Sequence, residues 1–266
     1  HNKYYNEVYD ALYHMEKKHF IAHVIDEPQF GDGRVLYNVL HLATKSMNDE
    51  LARYQILEEE YKEYIETWIH EVKIPISCIG LLCENNKSDF SQNIQSEVNR
   101  IDSFVEQALF YARSTNIEKD YIIHTIQLAD LIRTCVKKHS RQLINAHAEI
   151  HIDSLDFKVF SDTKWLDFII GQILSNSIKY RRQPFILNFF AEEQPNNIIL
   201  TIEDNGIGIP SNELSKVFEK GFTGENGRVF AKSTGIGLYL CKRLCDKMYL
   251  SLTIESIEGE GTKLHI

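Results

Sequence analysis

The chain has 266 residues, 43% hydrophobic and 25% charged, ordinary globular values with length for one large domain or two small ones. Its 29 Lys and Arg stand against 38 Asp and Glu, a net charge of −9, which argues against a nucleic-acid binder, since phosphate backbones are held by basic patches. No stretch approaches the roughly 18 consecutive apolar residues of a membrane-spanning helix, and Lys3, Glu7, Asp10, Glu16, Lys17 and Lys18 interrupt any signal-peptide core.

Residues 1–46 are rich in Tyr and His, and the turn-like Glu27-Pro28-Gln29-Phe30-Gly31-Asp32-Gly33 is expected between helices. From 47 to 116 a helical period dominates. Tyr61, Ile65, Trp68, Val72, Ile76, Ile79 and Cys83 alternate steps of four and three, and a second run follows at Ile94, Val98, Ile101, Val105, Ala108 and Ala112. The polar break Glu84-Asn85-Asn86-Lys87-Ser88-Asp89 makes this an antiparallel helical hairpin with heptad-like seams. Two helices bury little alone, so the stripes predict a four-helix bundle made by dimerisation; the alternative is a hairpin docked on its own chain.

From 117 onward strands and helices mix. Strands are expected at 121–126, 149–152, 185–192, 198–204, 250–256 and 262–266, and helices at 129–145, 163–180 and 235–248. Several antiparallel pairs with few helices predict an α/β sandwich with helices on one face. The five cysteines, Cys78, Cys83, Cys135, Cys241 and Cys245, form no CxxC pair and suit buried thiols in a reducing compartment. Cys241 and Cys245 sit one helical turn apart, but no suitably spaced His accompanies them as a metal ligand.

His70 points about 160° away from the apolar stripe at 100° per residue, so it projects into solvent, with Glu71 beside it. Pro75 frees the carbonyl of Glu71 and allows a kink there. An exposed imidazole with an adjacent carboxylate can be a nucleophile with its base, or simply surface decoration. Zinc chemistry of the HExxH kind is ruled out because Ile74 stands where the second His would be.

A second constellation lies further on. Asp204-Asn205-Gly206-Ile207-Gly208-Ile209 follows a strand, and Thr234-Gly235-Ile236-Gly237-Leu238 opens a helix; neither is a dinucleotide fingerprint, and there is no GxxxxGK[ST] loop. Between them, Gly221-Phe222-Thr223-Gly224-Glu225-Asn226-Gly227-Arg228 is Gly-dense and suited to close over a ligand. A Gly-rich helix N-terminus can bind phosphate through free N–H groups. Upstream, Gln172-Ile173-Leu174-Ser175-Asn176-Ser177-Ile178-Lys179-Tyr180 gathers Asn, Lys and an aromatic within little more than one turn.

Taken in this order, from about residue 50 to the end, the motifs resemble those of bacterial sensor histidine kinases. His70-Glu71-Val72-Lys73-Ile74-Pro75 resembles the phosphoacceptor box, and Asn176, Lys179 and Tyr180 the N box. The segment from Asp204 to Ile209 is similar to the first glycine box, Val217-Phe218-Glu219-Lys220-Gly221-Phe222-Thr223-Gly224 to the F box, and Gly235-Ile236-Gly237-Leu238 to the second glycine box. Tyr64-Ile65-Glu66-Thr67-Trp68-Ile69-His70-Glu71 and 221–228 resemble the intramembrane-sensing subgroup of Gram-positive bacteria.

The resemblance implies a fold: a dimerising helical hairpin at 47–116, after a partly helical membrane-proximal region at 1–46, then an ATP-binding α/β sandwich of the gyrase, chaperone and histidine-kinase type at 117–266. It also implies a homodimeric, ATP- and Mg²⁺-dependent kinase. Such a kinase phosphorylates His70, with Glu71 taking the imidazole proton, and passes the phosphoryl group to an aspartate of a response regulator. An ABC transporter partner, a role in antimicrobial-peptide or cell-envelope stress, a membrane sensor before residue 1 and a cytoplasmic location for this soluble part follow from the subgroup.

Carried over residue by residue, Asp204 would accept the adenine amine, with Thr262 fixing the base through water. Asn176 would ligate Mg²⁺, Lys179 contact phosphate and Tyr180 stack on the base. Gly206, Gly208 and Ile209, then Phe222, Thr223, Gly224 and Arg228, then Ser233, Thr234, Gly235, Ile236, Gly237 and Leu238, would complete the ATP site as loop, lid and phosphate cradle. One departure stands out: Ile74 occupies a position where many such kinases carry Thr or Asn.

Overall fold

The computed structural model describes residues 2–114, 121–224 and 234–266, and the chain divides into two compact units, His1–Glu71 and Val72–Ile266. In the first, α1 (Asn2–His14), a 3-10 turn (Lys18–Phe20) and α2 (Ile21–Val24) precede α3 (Gly31–Asn85), whose later turns belong to the second unit. Val8, Ile21 and Ile25 form a small core against which Tyr4, Leu12, Tyr37 and Leu40 pack. The expected turn at 27–33 leads into α3, and Gly33 is required there: a Cβ would stand 2.6 Å from the Phe30 ring.

The 46/47 boundary drawn from sequence texture lies inside the 55-residue α3, and the 116/117 boundary lies outside the described residues. Ser88 caps α4 (Asp89–Arg113): its hydroxyl accepts from Ser91 N–H, and Ser91 answers by accepting from Ser88 N–H. The stripe read on the first hairpin helix is not filled within one chain. Tyr61, Trp68 and Ile79 are exposed and Ile65, Val72, Ile76 and Cys83 half-buried, while Ile69 is the fully buried residue of that stretch. On α4, Val98, Val105 and Phe110 are buried and Ile101 and Phe104 exposed.

The second unit continues with β1 (His124–Gln127), α5 (Leu128–Lys138), α6 (Ser140–Asn145), β2 (Ala148–Ile152), β3 (Lys158–Ser161) and α7 (Thr163–Lys179). After these come β4 (Phe185–Glu193), β5 (Ile198–Asp204), α8 (Ser211–Leu214), α9 (Gly237–Lys247), β6 (Thr253–Ile257) and β7 (Gly261–His265). β1 and β3 pair in a small antiparallel sheet; the main sheet has the order β2-β4-β5-β7-β6, antiparallel except for β2 with β4. Along β4 burial alternates, so Phe185, Leu187, Phe189 and Ala191 share one face, the period-two signature of a half-buried strand. That face meets Ile132 of α5, Trp165, Ile169, Ile173 and Leu174 of α7, and Leu240 and Leu244 of α9 in one core.

Two expectations change in detail. The single helix expected at 129–145 breaks at His139 into α5 and α6, and the short strand β3 was not foreseen. Among the described residues no helix is long and apolar enough to cross a membrane.

Candidate active site

The N-cap of α7 is Asp162, whose carboxylate accepts from Lys164 and Trp165 N–H and fixes where the helix starts. From Trp165 to Leu174 it is buried nearly all round, but its C-terminal end turns polar side chains into a cleft of about 1070 Å³, on the scale of small-molecule sites. Asn176, Lys179 and Tyr180 line that cleft, with the Lys179 ammonium 4.8 Å from the Tyr180 ring centroid.

Asp204 ends the central strand β5 and is 8% exposed. Its carboxylate accepts from Ser177 Oγ at 2.7 Å and from Gly206 N–H at 2.9 Å. Burial pushes the Asp204 carboxyl above the ordinary aspartate value, against the Ser177 hydroxyl and the N–H groups of Gly206 and Thr262. The β5–β7 register sets Thr262 directly opposite Asp204, so both face one end of the cleft. Gly206 does not itself line the cleft. It permits the turn: a Cβ would lie 2.6 Å from Tyr180 O and 2.7 Å from Asp204 Oδ1.

Gly208 and Ile209 line the cleft next, and Ser256 holds them in place. Its hydroxyl accepts from Ile209 N–H at 2.9 Å, donates to Gly261 O at 2.6 Å and bonds Thr262 Oγ1 at 2.9 Å. Phe222, Thr223 and Gly224 form a further wall, and Thr234, Gly235, Gly237 and Leu238 close the far end, where α9 begins with free N–H groups. Ile236 packs on the core instead. Arg228 and Ser233, with the second half of the Gly-dense segment, lie outside the described residues. His70 and Glu71 are exposed on α3.

Sequence reading missed four contributors: Gln107, Gln172, Ser177 and Ser256. Gln172 and Ser177 stand inside the very segment that carries Asn176, yet their partners come from distant elements. The cysteine pair has no role here. Burial pushes Cys241 up and Cys245 to about 12, so both remain protonated thiols.

The residues present fit a nucleotide. The cleft offers a buried acceptor at one end, and at the other a helix N-terminus suited to anions. Among the described residues no group of three or more His, Cys, Asp or Glu could hold a metal alone. A Mg²⁺ here would therefore take one carboxamide oxygen, from Asn176, and complete its oxygen shell with phosphate and water, the usual habit of that ion.

Residues 161–266 match the family described as histidine kinase-, DNA gyrase B-, and HSP90-like ATPase. The chain is 35% identical over 205 residues to the sensor histidine kinase YxdK of Bacillus subtilis, covering 76% of this chain and 62% of that one. It is 31% identical over 241 residues to the sensor protein BceS of the same organism, covering 90% and 71%. To the sensor protein kinase GraS of Staphylococcus aureus it is 27% identical, covering 85% and 66%. The chain thus spans about two thirds of the length of these relatives.

Two solved structures share the fold. Full-length ShkA in complex with AMPPNP has a TM-score of 0.58 at 19% identity, covering 76% of this chain and 44% of that one. The Acinetobacter baumannii histidine kinase AdeS has a TM-score of 0.53 at 18% identity, covering 74% and 96%.

Proposed function

The chain belongs to the sensor histidine kinase family, and we propose on that premise that it is an ATP-dependent protein-histidine kinase that phosphorylates its own His70. The observation that carries the reading is the cleft. It has a buried carboxylate, Asp204, paired across the sheet with Thr262 at one end and the start of α9 at the other. Asp204 accepts the exocyclic amine of adenine, Tyr180 lies against the base, and Lys179 and the N–H groups of Gly235 and Gly237 take the phosphates. Asn176 holds Mg²⁺, which neutralises phosphate charge when bound.

In the reaction the bond between the γ-phosphorus and the β–γ bridging oxygen breaks, and a bond from that phosphorus to an imidazole nitrogen of His70 forms. ADP leaves with the electron pair of the broken bond, and Glu71 accepts the imidazole proton. The chain supplies positioning and charge placement, which account for most of the catalysis in phosphoryl transfer. The test is incubation with γ-labelled ATP and Mg²⁺. Acid-labile, alkali-stable label on the protein is expected; hydrolysis without protein label would overturn the reading in favour of a gyrase-type ATPase.

The kinase works as a homodimer through its helical hairpin and passes the phosphoryl group to an aspartate of a response regulator. The burial pattern selects the variant for the dimer. Val98 is already buried within one chain, whereas Ile101 is 47% exposed and free to pack against a second copy. Ile101→Asp is expected to raise the dimer dissociation constant at least about tenfold, since burying an aliphatic side chain is worth roughly 1.5–3 kcal/mol. Sedimentation equilibrium reads the change, and an unshifted constant would place the interface elsewhere.

A second expectation concerns Ile74, which is exposed on α3 four residues after His70. By resemblance to kinases of this type, a Thr or Asn at this position would orient a water toward the phosphoaspartate of the regulator. An aliphatic side chain can neither donate nor accept such a bond. The chain is therefore expected to be a competent phosphoryl donor with weak phosphatase activity, and Ile74→Thr is expected to accelerate dephosphorylation of the purified phospho-regulator. Fast dephosphorylation by the wild type, unchanged by the substitution, would refute this. The likeness of the 64–71 and 221–228 segments to the intramembrane-sensing subgroup further suggests an ABC transporter partner and a signal from envelope-active peptides.

A further inference from the structure

The second hairpin helix enters the nucleotide cleft. From α4, Gln107 Nε2 donates to Gln172 Oε1 of α7 at 3.0 Å, while Gln107 Oε1 accepts from Thr234 Oγ1 at 3.4 Å. Its carboxamide thus reaches from α7 to the residue preceding the Gly235-Ile236-Gly237 turn, at the end of the cleft where α9 begins. Gln172 is 8% exposed and stands one turn before Asn176 on the same helix. Its Oε1 approaches so closely that a Cβ on Gly237 would lie 3.0 Å away, so the glycine that opens α9 also admits this oxygen.

The next turn of α4 adds a second tie beside the F-box segment. Tyr111 OH accepts from Lys220 Nζ at 2.9 Å, and the Arg243 guanidinium lies 5.4 Å from the Tyr111 ring centroid. Between these two ties Phe110 stacks on Phe168 at 3.9 Å between centroids and meets Trp165 edge-on at 5.3 Å. One face of α4, at residues 107, 110 and 111, is therefore seated on the ATP-binding fold through two polar contacts and an aromatic one.

The geometry points to Gln107 as an inhibitory latch: its carboxamide occupies the phosphate end of the cleft, so that α4 docking and triphosphate binding exclude one another. The inference rests on the reading of this cleft as the ATP site. When Gln107 is seated, Gln172 and the turn before α9 are engaged by the chain itself. Phosphates must displace the carboxamide to reach them, and the latched fraction of molecules lowers the apparent ATP affinity. The adenine end, at Asp204 and Thr262, is formed by other elements and stays open in either state. Nucleotide and hairpin are thereby coupled. ATP frees α4 from the ATP-binding fold, and whatever strengthens α4 docking holds the kinase off.

The experiment measures AMPPNP and adenosine binding to the wild-type chain, Gln107→Ala and Tyr111→Phe by titration calorimetry in Mg²⁺, with amide hydrogen exchange of α4 alongside. Gln107→Ala removes its two neutral hydrogen bonds and Tyr111→Phe one charge-assisted bond, so AMPPNP is expected to bind about 2- to 10-fold tighter while adenosine is unchanged. AMPPNP is also expected to speed exchange in the C-terminal half of wild-type α4. Unchanged or weaker AMPPNP binding in both variants, with wild-type binding intact, would overturn the latch alone and make Gln107 a nucleotide contact or a bystander. A wild-type chain that binds neither ligand would overturn the cleft assignment and the latch with it.

Discussion

His70→Ala is expected to reduce protein labelling from γ-labelled ATP to background while leaving AMPPNP affinity and melting temperature nearly unchanged. His70 is exposed on α3 and is not one of the residues that line the cleft, so the substitution is expected to remove the proposed nucleophile and leave the side chains of the cleft in place. Alanine is the best helix former, and an exposed change of this kind moves stability by no more than about 0.5 kcal/mol. Glu71→Gln separates the proposed base from the proposed nucleophile. It retains the shape of the side chain but cannot take the imidazole proton, and losing a general base costs roughly 10²- to 10⁴-fold in rate. Labelling of the Gln variant is therefore expected to be slow but real, with its acid lability unchanged. Full phosphohistidine in His70→Ala would move the acceptor to another of the eleven His.

Why this site was legible in a single sequence follows from what builds it. Most of its residues lie in short contiguous loops at strand and helix ends, where backbone geometry restricts the residue type. Gly206 sits where a Cβ would strike Tyr180 O, and Gly235 has φ +64, so both must be glycine and both show as motif. Strand β5 was read at its observed limits because its apolar run is bounded by the Gln194-Pro195-Asn196-Asn197 turn and the glycine box. Strand β3 escaped because four residues with one buried position carry too little period, and its pairing with β1 is nonlocal. The break at His139 escaped because α5 and α6 continue the same apolar pattern and differ only in backbone angles at one residue, φ −96 and ψ 6.

Side-chain partnerships were the least legible. Gln107 and Gln172 are 65 positions apart, and nothing in either local sequence marks the contact. The same holds for the long α3. Its first turns hold Gly31 and Gly33, which read as turn residues, yet Gly33 serves to seat the Phe30 ring at the helix start. The hairpin stripe shows the converse limit. Period alone marks which residues could be buried, not what buries them, and in one chain Tyr61, Trp68 and Ile79 remain exposed.

Asp204→Ala and Asn176→Ala are expected to fail at opposite ends of the same ligand. Asp204 is buried, and an adenine amine that enters the cleft without its carboxylate must be desolvated unpaired. That costs about 1–3 kcal/mol, or roughly 5- to 150-fold in adenosine affinity. Asn176 meets no part of adenosine in the proposed arrangement. Its loss is expected to leave adenosine binding intact, abolish the Mg²⁺ dependence of ATP binding and stop labelling. Melting curves accompany both, because Asp204→Ala also strands Ser177 Oγ and Gly206 N–H, its present donors.

Acidity gives an independent reading of Asp204. Burial raises its carboxyl above the ordinary aspartate value, and the protonated form loses the charge proposed to hold the amine. Wild-type adenosine affinity is therefore expected to begin falling, as pH drops, at a higher pH than an ordinary aspartate would give. Asp204→Ala, already weak, is expected to be flat across that window. Equal adenosine affinity in the two proteins at neutral pH, or an acid limb that survives in the alanine variant, would remove Asp204 from the adenine site.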